Sequence, residues 1–213
     1  TVLKLIGYTW AENCIHVDFG WVKFEEEILS TRKGNIILLE DVLDKSIDLA
    51  LKIIEEKNPE LENKKDVAQQ VGIGAVVFAY LSRRRNKDFD FVWEEVLNFE
   101  GETGPYVQYS HARLCSLQSK YEKEIVPRVD FSLLKEKEEI GLVKILEDFP
   151  RIIKRAIEDY EPAILSSYLI KLASTFNTYY QNIRIITEDE KKTEAKMLLV
   201  KCAQMVLKEG LRL

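Results

Sequence analysis

After Glu40 the apolar residues recur every three or four positions almost to the end of the chain, and that spacing restricts it to a mainly helical fold. Val42, Ile47, Leu51 and Ile54 mark the first run, which Asn58-Pro59 ends. Residues 67–81 form a second expected helix, nearly all apolar and so expected to be buried, with Gly72 and Gly74 admitting a close neighbour. Pro105 suits the first turn of a helix reaching about Tyr121, with Val107, Leu114, Leu117 and Tyr121 on one face. Residues 131–148 and 151–160 read as two amphipathic helices split by Pro150. Pro162 opens the next, with Leu165, Leu169, Leu172 and Phe176 as its buried stripe. The last helix is expected from Thr187, with Glu190 completing a capping box and Ala195, Leu198, Cys202 and Val206 facing the core. Residues 101–213 thus read as an all-helical bundle, with a domain boundary near residue 100.

Residues 1–40 have another character. Residues 14–24 are rich in β-branched and aromatic side chains, broken by Gly20, and residues 35–39 (NIILL) form a short apolar run after Gly34. Two short strands flanking the loop ILSTRKG are the expectation.

Composition removes several classes of function. With 46% hydrophobic residues the chain can bury a substantial core, and its 31% charged residues with few Gly and Pro suit a soluble helical protein. No run of about 18 apolar residues marks a membrane helix, and no signal peptide is visible at Thr1. The first residue is not Met and an element is already under way there, so a piece of a longer protein is expected. A net charge of −5 argues against coating nucleic acid by bulk charge but leaves room for a local basic patch. Cys14, Cys115 and Cys202 are far apart, no CxxC occurs, and the histidines are His16 and His111. Neither a metal site nor a disulfide framework is expected, and the reducing cytoplasm is the expected compartment.

Four clusters carry candidate chemistry. The loop ILSTRKGN sets Ser30, Thr31, Arg32 and Lys33 beside Gly34. It is either a solvated turn or a phosphate-handling loop whose cations stabilise charge during phosphoryl or nucleotidyl transfer. Arg83, Arg84, Arg85 and Lys87 either solvate a helix end or grip a polyanion. Tyr106, Tyr109, His111 and Arg113 share the first turns of one helix. Tyr179 and Tyr180 lie between Asn177 and Arg184. Adjacent residues on a helix point about 100° apart, so both rings cannot face one core. The exposed one, near an Arg, is a stacking platform for unpaired bases. Gly72-Ile73-Gly74 is no dinucleotide fingerprint, because Val77 stands where a third glycine would be and the pair lies inside a helix.

The segments ILSTRKGNIILLEDVL, VGIGAVVFAYLS, FDFVW, FEGETGPYVQYSHAR and EPAILSSYLIKLASTFNTYY, in this order from about residue 7 to 213, resemble those of arginyl-tRNA synthetases. That resemblance implies a mainly α chain: a helical-bundle anticodon-binding domain preceded by a small α/β remnant of a class I Rossmann-like catalytic domain. Its implied divisions are 1–40, the end of the catalytic domain with a KMSKS-type loop; 41–100, connecting helices that touch the tRNA stem; and 101–213, the bundle. Ser30, Thr31, Arg32 and Lys33 would lie by the phosphates of ATP, with Ile28 at the family's first KMSKS lysine and Thr31 at the second. Tyr109, Asn177, Tyr180 and Arg184 would meet the anticodon loop, and Tyr179, Arg83 and Arg84 complete the candidate tRNA-binding residues. The implied partners are arginine tRNA and the missing N-terminal catalytic portion, with ATP, magnesium and arginine in the full enzyme and no membrane. No HIGH-type motif occurs here, so the chain alone is expected neither to aminoacylate nor to hold ATP tightly. Two other readings stay open: a non-catalytic RNA-binding module and a helical interaction domain. Neither needs the STRKG loop.

Overall fold

The computed structural model describes residues 2–24, the backbone of 27–28, and residues 37–213. The elements are α1 (Val2–Leu5), β1 (Val22–Phe24), β2 (Glu27–Ile28), α2 (Leu39–Lys57), α3 (Lys64–Leu81), β3 (Phe89–Phe91), α4 (Trp93–Val96), α5 (Gly104–Tyr121), α6 (Lys137–Glu158), α7 (Ala163–Asn182) and α8 (Glu190–Arg212). The strands form one small sheet in the order β2-β1-β3. β1 pairs with β2 antiparallel and with β3 in parallel, Phe24 lying opposite Phe91. Those two rings stack with centroids 4.7 Å apart, and Phe91 meets Trp93 edge-on at 4.9 Å. The residues FDFVW therefore turn back onto a first core, which also takes in Val42, Ala50, Ile54, Ala75 and Val76 from α2 and α3.

The α2–α3 pair is held by close backbone approach. A Cβ on Gly72 would come within 2.7 Å of the Ser46 carbonyl oxygen, so any side chain there would push the helices apart. α2 opens with Glu40 and Asp41 in its first turn, where the helix dipole favours acids. A second core lies inside the bundle of α5, α6, α7 and α8, around Leu114, Leu142, Leu172, Phe176, Val200 and Leu207. α3 joins the two cores: it packs on α5 and α7, and Ser166 of α7 donates to the Leu81 carbonyl at 3.1 Å.

The structure changes several expectations. The strand expected over 35–39 is not found in its described part: Ile37 and Leu38 are irregular and exposed, and Leu39 already begins α2. Residues 35 and 36 lie outside the described residues. Of the stretch 14–24, Val22–Phe24 alone forms a strand.

Pro150 does not split a helix; α6 runs through it from Lys137 to Glu158. Proline removes one donor and crowds one carbonyl, but Pro150 is on the exposed face, where water can take the freed carbonyl. The capping box lies at the start of α6, between Glu136 and Glu139. At α8 the cap is Asp189, whose carboxylate accepts from the Lys192 N–H at 3.1 Å, and Thr187 instead donates to the Asp189 carbonyl. The inner face of α8 is also wider than expected. Ala195 is buried, but Leu198, Cys202 and Val206 are half-buried, while Met197, Val200, Ala203 and Leu207 are fully enclosed. Three helices pack around α8, so most of its circumference is covered.

Candidate nucleic-acid interface

Thr103 caps α5, its hydroxyl accepting from the Tyr106 N–H at 3.2 Å and donating to the Asn98 carbonyl. The cap fixes the phase of α5, so that Tyr106, Ser110 and Arg113 meet α7 at one face. Asn177 of α7 is the meeting point. Its side-chain amide donates to the Tyr106 hydroxyl at 3.1 Å and to the Ser110 hydroxyl at 2.9 Å, and its oxygen accepts from Arg113 Nη1 at 2.6 Å. Both polar atoms of Asn177 are thereby committed, and the residue is buried.

Held this way, the Arg113 guanidinium lies 4.9 Å from the centroid of the Tyr109 ring and 5.0 Å from that of Tyr180. Both distances suit cation–π attraction. The rings remain open to water: Tyr109 is 51% and Tyr180 37% exposed. The result is two accessible aromatic rings around one cation. Beside it runs a groove of about 1060 Å³ between α2, α3, α5 and α7, bordered by Lys57, Phe99, His111 and Gln181. His111 is fixed in that wall by Gln204 of α8, with 2.9 Å between Gln204 Nε2 and His111 Nε2. Burial, and then the charge of Lys208, hold its pKa below the usual histidine range, so at neutral pH the ring is uncharged and can accept from the amide.

The other expected site residues fare differently. Tyr179 is fully buried in the bundle, which removes it as a stacking surface; packing of α7 against its neighbours turned that ring inward and left Tyr180 outside. Among the described residues its hydroxyl has no hydrogen-bond partner, and burial, then Glu139, push its pKa far above the usual tyrosine range. Arg184 is exposed, its Nε donating to the Ile186 carbonyl at 3.1 Å, and among the described residues no hydrogen bond or ion pair of its side chain joins it to the Tyr109–Arg113–Tyr180 stack. Arg83 caps the end of α3 through the Ala79 carbonyl and lies over the Phe89 ring at 4.5 Å. Arg84 is exposed and borders a hollow of about 390 Å³ with Asp148, Arg155, Glu161 and Lys171, apart from the tyrosine stack. Ser30, Thr31, Arg32 and Lys33 lie outside the described residues.

Sequence reasoning placed Arg113 in the right helix turn but did not give it a site role. Its spacing of four from Tyr109 was the available signal, since residues at that interval share a helix face. It also missed a buried ion pair. Lys196 of α8 stands 3.7 Å from Glu139 of α6, with the two side chains 3% and 0% exposed, and it donates to the Arg184 carbonyl at 2.7 Å. Among the described residues no group of His, Cys, Asp or Glu could hold a metal ion, and no helix is long and apolar enough to cross a membrane.

Comparison with known proteins identifies the family of both parts of the chain. Residues 107–213 match the model of the DALR anticodon binding domain, and residues 1–93 that of the catalytic domain of class I (R) tRNA synthetases. An arginine–tRNA ligase of Clostridium botulinum is 49% identical over the whole chain, and one of Clostridium kluyveri 50%. In each case the chain covers 38% of the relative. The arginyl-tRNA synthetase of Thermus thermophilus superposes with a TM-score of 0.89 at 34% identity, over 99% of this chain and 36% of that one. The chain thus spans well under half the length of the proteins it matches, and it belongs to the arginyl-tRNA synthetase family.

Proposed function

We propose that this chain is the tRNA-reading part of an arginine–tRNA ligase, and that it binds unpaired bases of the arginine anticodon loop on the Tyr109–Arg113–Tyr180 stack. The observation that carries this reading is the guanidinium held between two exposed rings, with Asn177 spent on orienting it. Each aromatic face offers a base about 1–3 kcal/mol of stacking, the cation draws the adjacent phosphate, and Lys57 adds positive charge along the groove. In this reading Asn177 acts through Arg113, while Arg184, Arg83 and Arg84 supply contacts to the RNA backbone.

The rest of the assignment rests on family and motif. Residues 1–40 form the end of the catalytic domain, 41–100 the connecting helices and 101–213 the anticodon-binding bundle. Ser30, Thr31, Arg32 and Lys33 face the phosphates of ATP in the full cytoplasmic enzyme, and this donor set of hydroxyls and cations suits phosphate oxygens. Magnesium would enter on the nucleotide's own phosphates. The remaining catalytic portion covers the apolar surface around Leu5, Ile6, Phe19 and Trp21, side chains that are largely exposed here.

The test is binding of RNA hairpins over a salt series, one carrying an arginine anticodon and one a changed anticodon. The expected result is a preference for the arginine anticodon that falls about 5- to 150-fold in Tyr180→Ala and in Arg113→Ala. Equal, salt-sensitive binding of both hairpins would reduce the site to a phosphate grip and refute base reading. Arginine-dependent ATP–pyrophosphate exchange is expected to be absent from this chain; measurable exchange would overturn the division of labour.

A further inference from the structure

Arg85 belongs to the basic run 83–87, yet its contacts point inward rather than to a polyanion. Its Nη1 donates to the Asp18 carbonyl at 2.9 Å and to the Asp18 carboxylate, and its Nε donates to the Tyr160 carbonyl at 3.0 Å. The backbone joins in. The Arg85 N–H donates to Glu161 Oε1 at 3.3 Å, and the Arg85 carbonyl accepts from the Gly20 N–H at 2.6 Å. One residue therefore bonds two segments remote from it and from each other: 18–20, just ahead of β1, and the turn between α6 and α7.

Both segments are shaped for this contact. A Cβ on Gly20 would lie 2.3 Å from the Lys87 carbonyl carbon, so a glycine is needed for the chain to lie on the 87–88 backbone. From there Trp21 N–H donates to the Asp88 carboxylate at 2.8 Å and Phe89 N–H to the Trp21 carbonyl at 3.0 Å, leading into the β1–β3 pairing. On the other side, Tyr160 has a φ of 51°. Tyr160 N–H reaches the Ile157 carbonyl and Glu161 N–H the Ala156 carbonyl, a helix ending that usually takes glycine. A left-handed side-chain-bearing residue persists where its surroundings over-determine it, and Arg85 holds the carbonyl of this very residue. The Arg85 guanidinium also holds the Asp18 carboxyl below its usual pKa, so the pair stays ionised at neutral pH.

We propose that Arg85 is a positioning residue: it fixes the helical bundle and the segment entering β1 in one orientation, so that a tRNA held at Tyr109, Arg113 and Tyr180 meets the catalytic end of the chain at a set distance. The first half stands on geometry alone; the second rests on the RNA reading above. Arginine is required because one planar fork serves acceptors on two segments, whereas a lysine ammonium is a single point donor on a flexible stem.

The experiment measures orientation directly. Cys115 and Cys202 are replaced by Ser, and spin labels are placed on the exposed Cys14 and on a cysteine at Lys154 of α6. Pulsed electron paramagnetic resonance should give one narrow distance distribution for the native sequence. Arg85→Gln and Arg85→Lys should both broaden it while the helical circular-dichroism signal stays unchanged. An unchanged narrow distribution in Arg85→Gln overturns the proposal. Should Arg85→Gln fail to fold, Asp18→Asn takes its place, expected to give an intermediate width. In binding assays, Arg85→Gln should leave the anticodon hairpin within about twofold of native and weaken full-length arginine tRNA at least about fivefold. Equal weakening of both RNAs overturns the positioning role. Absence of RNA binding by the native chain would instead sink the reading of the preceding subsection, and the distance measurement would still decide the joint.

Discussion

Replacing Lys196 by Met removes a buried charge from the bundle. The ammonium lies 3.7 Å from the Glu139 carboxylate, and neither side chain is more than 3% exposed. It also donates to the Arg184 carbonyl at 2.7 Å. Of the two Glu139 oxygens, Oε2 accepts from the Glu136 N–H at 3.0 Å, while Oε1 has no hydrogen-bond partner among the described residues. The charge of Lys196 is therefore what offsets the second oxygen. Methionine keeps an unbranched stem of similar length and deletes the charge and the donor. Removing one partner of a buried pair costs about 3–5 kcal/mol, because the other charge is left uncompensated. In a chain of this size each kcal/mol is worth about 2–4 °C, so Tm should fall by about 6–20 °C. Urea unfolding followed by circular dichroism should show a lower midpoint with an unchanged slope. The pair itself is not a large net stabiliser: burial pulls the Lys196 pKa down, against the upward pull of Glu139. Glu139→Gln/Lys196→Met should therefore recover most of the loss, since the amide keeps an acceptor for Glu136 and carries no charge. A cost below about 1 kcal/mol for the single variant, or a double variant as costly as the sum of the singles, would refute the reasoning.

Two further outcomes concern Tyr179 and His111. Tyr179→Phe deletes a buried hydroxyl without a partner, so stability should be unchanged or higher by up to about 1 kcal/mol and RNA binding unchanged; a binding loss as large as that of Tyr180→Ala would return Tyr179 to the interface. His111 has a folded pKa below its unfolded value of about 6.5, so as pH falls through that value the unfolded chain takes up a proton that the folded chain refuses. Stability should fall with acidification over that window, and the slope of midpoint against pH should flatten in His111→Gln; an unchanged slope would show that the ring is not held neutral.

The elements with strong local signals were legible. α2, α3, α5 and α7 appear where apolar spacing and the prolines at 59, 105 and 162 put them. Two local rules gave way to the surroundings of the residue. Pro150 looked like a helix end, but its exposed position lets α6 continue. Thr187 with Glu190 satisfied the capping pattern, yet Asp189 stands next to the first helical residue and takes the cap. The candidate residues divide in the same way. Tyr109 and Tyr180 were singled out from resemblance and helix geometry. Arg113 meets Asn177 and Tyr180, residues 64 and 67 positions away in the chain, and no local pattern contains those contacts.

The sequence by itself determined that Tyr179 and Tyr180 must point different ways, because neighbours on a helix diverge by about 100°. It also determined a mainly helical chain, through a spacing of apolar residues that only helices can bury on one side. Only the tertiary structure decided which tyrosine faces water, that a lysine and a glutamate share the core, and that Arg85 spends its charge on joining two segments. Each of those outcomes depends on which helix faces lie against one another, and burial, ion pairing and cross-chain hydrogen bonds are properties of that arrangement rather than of any stretch of residues.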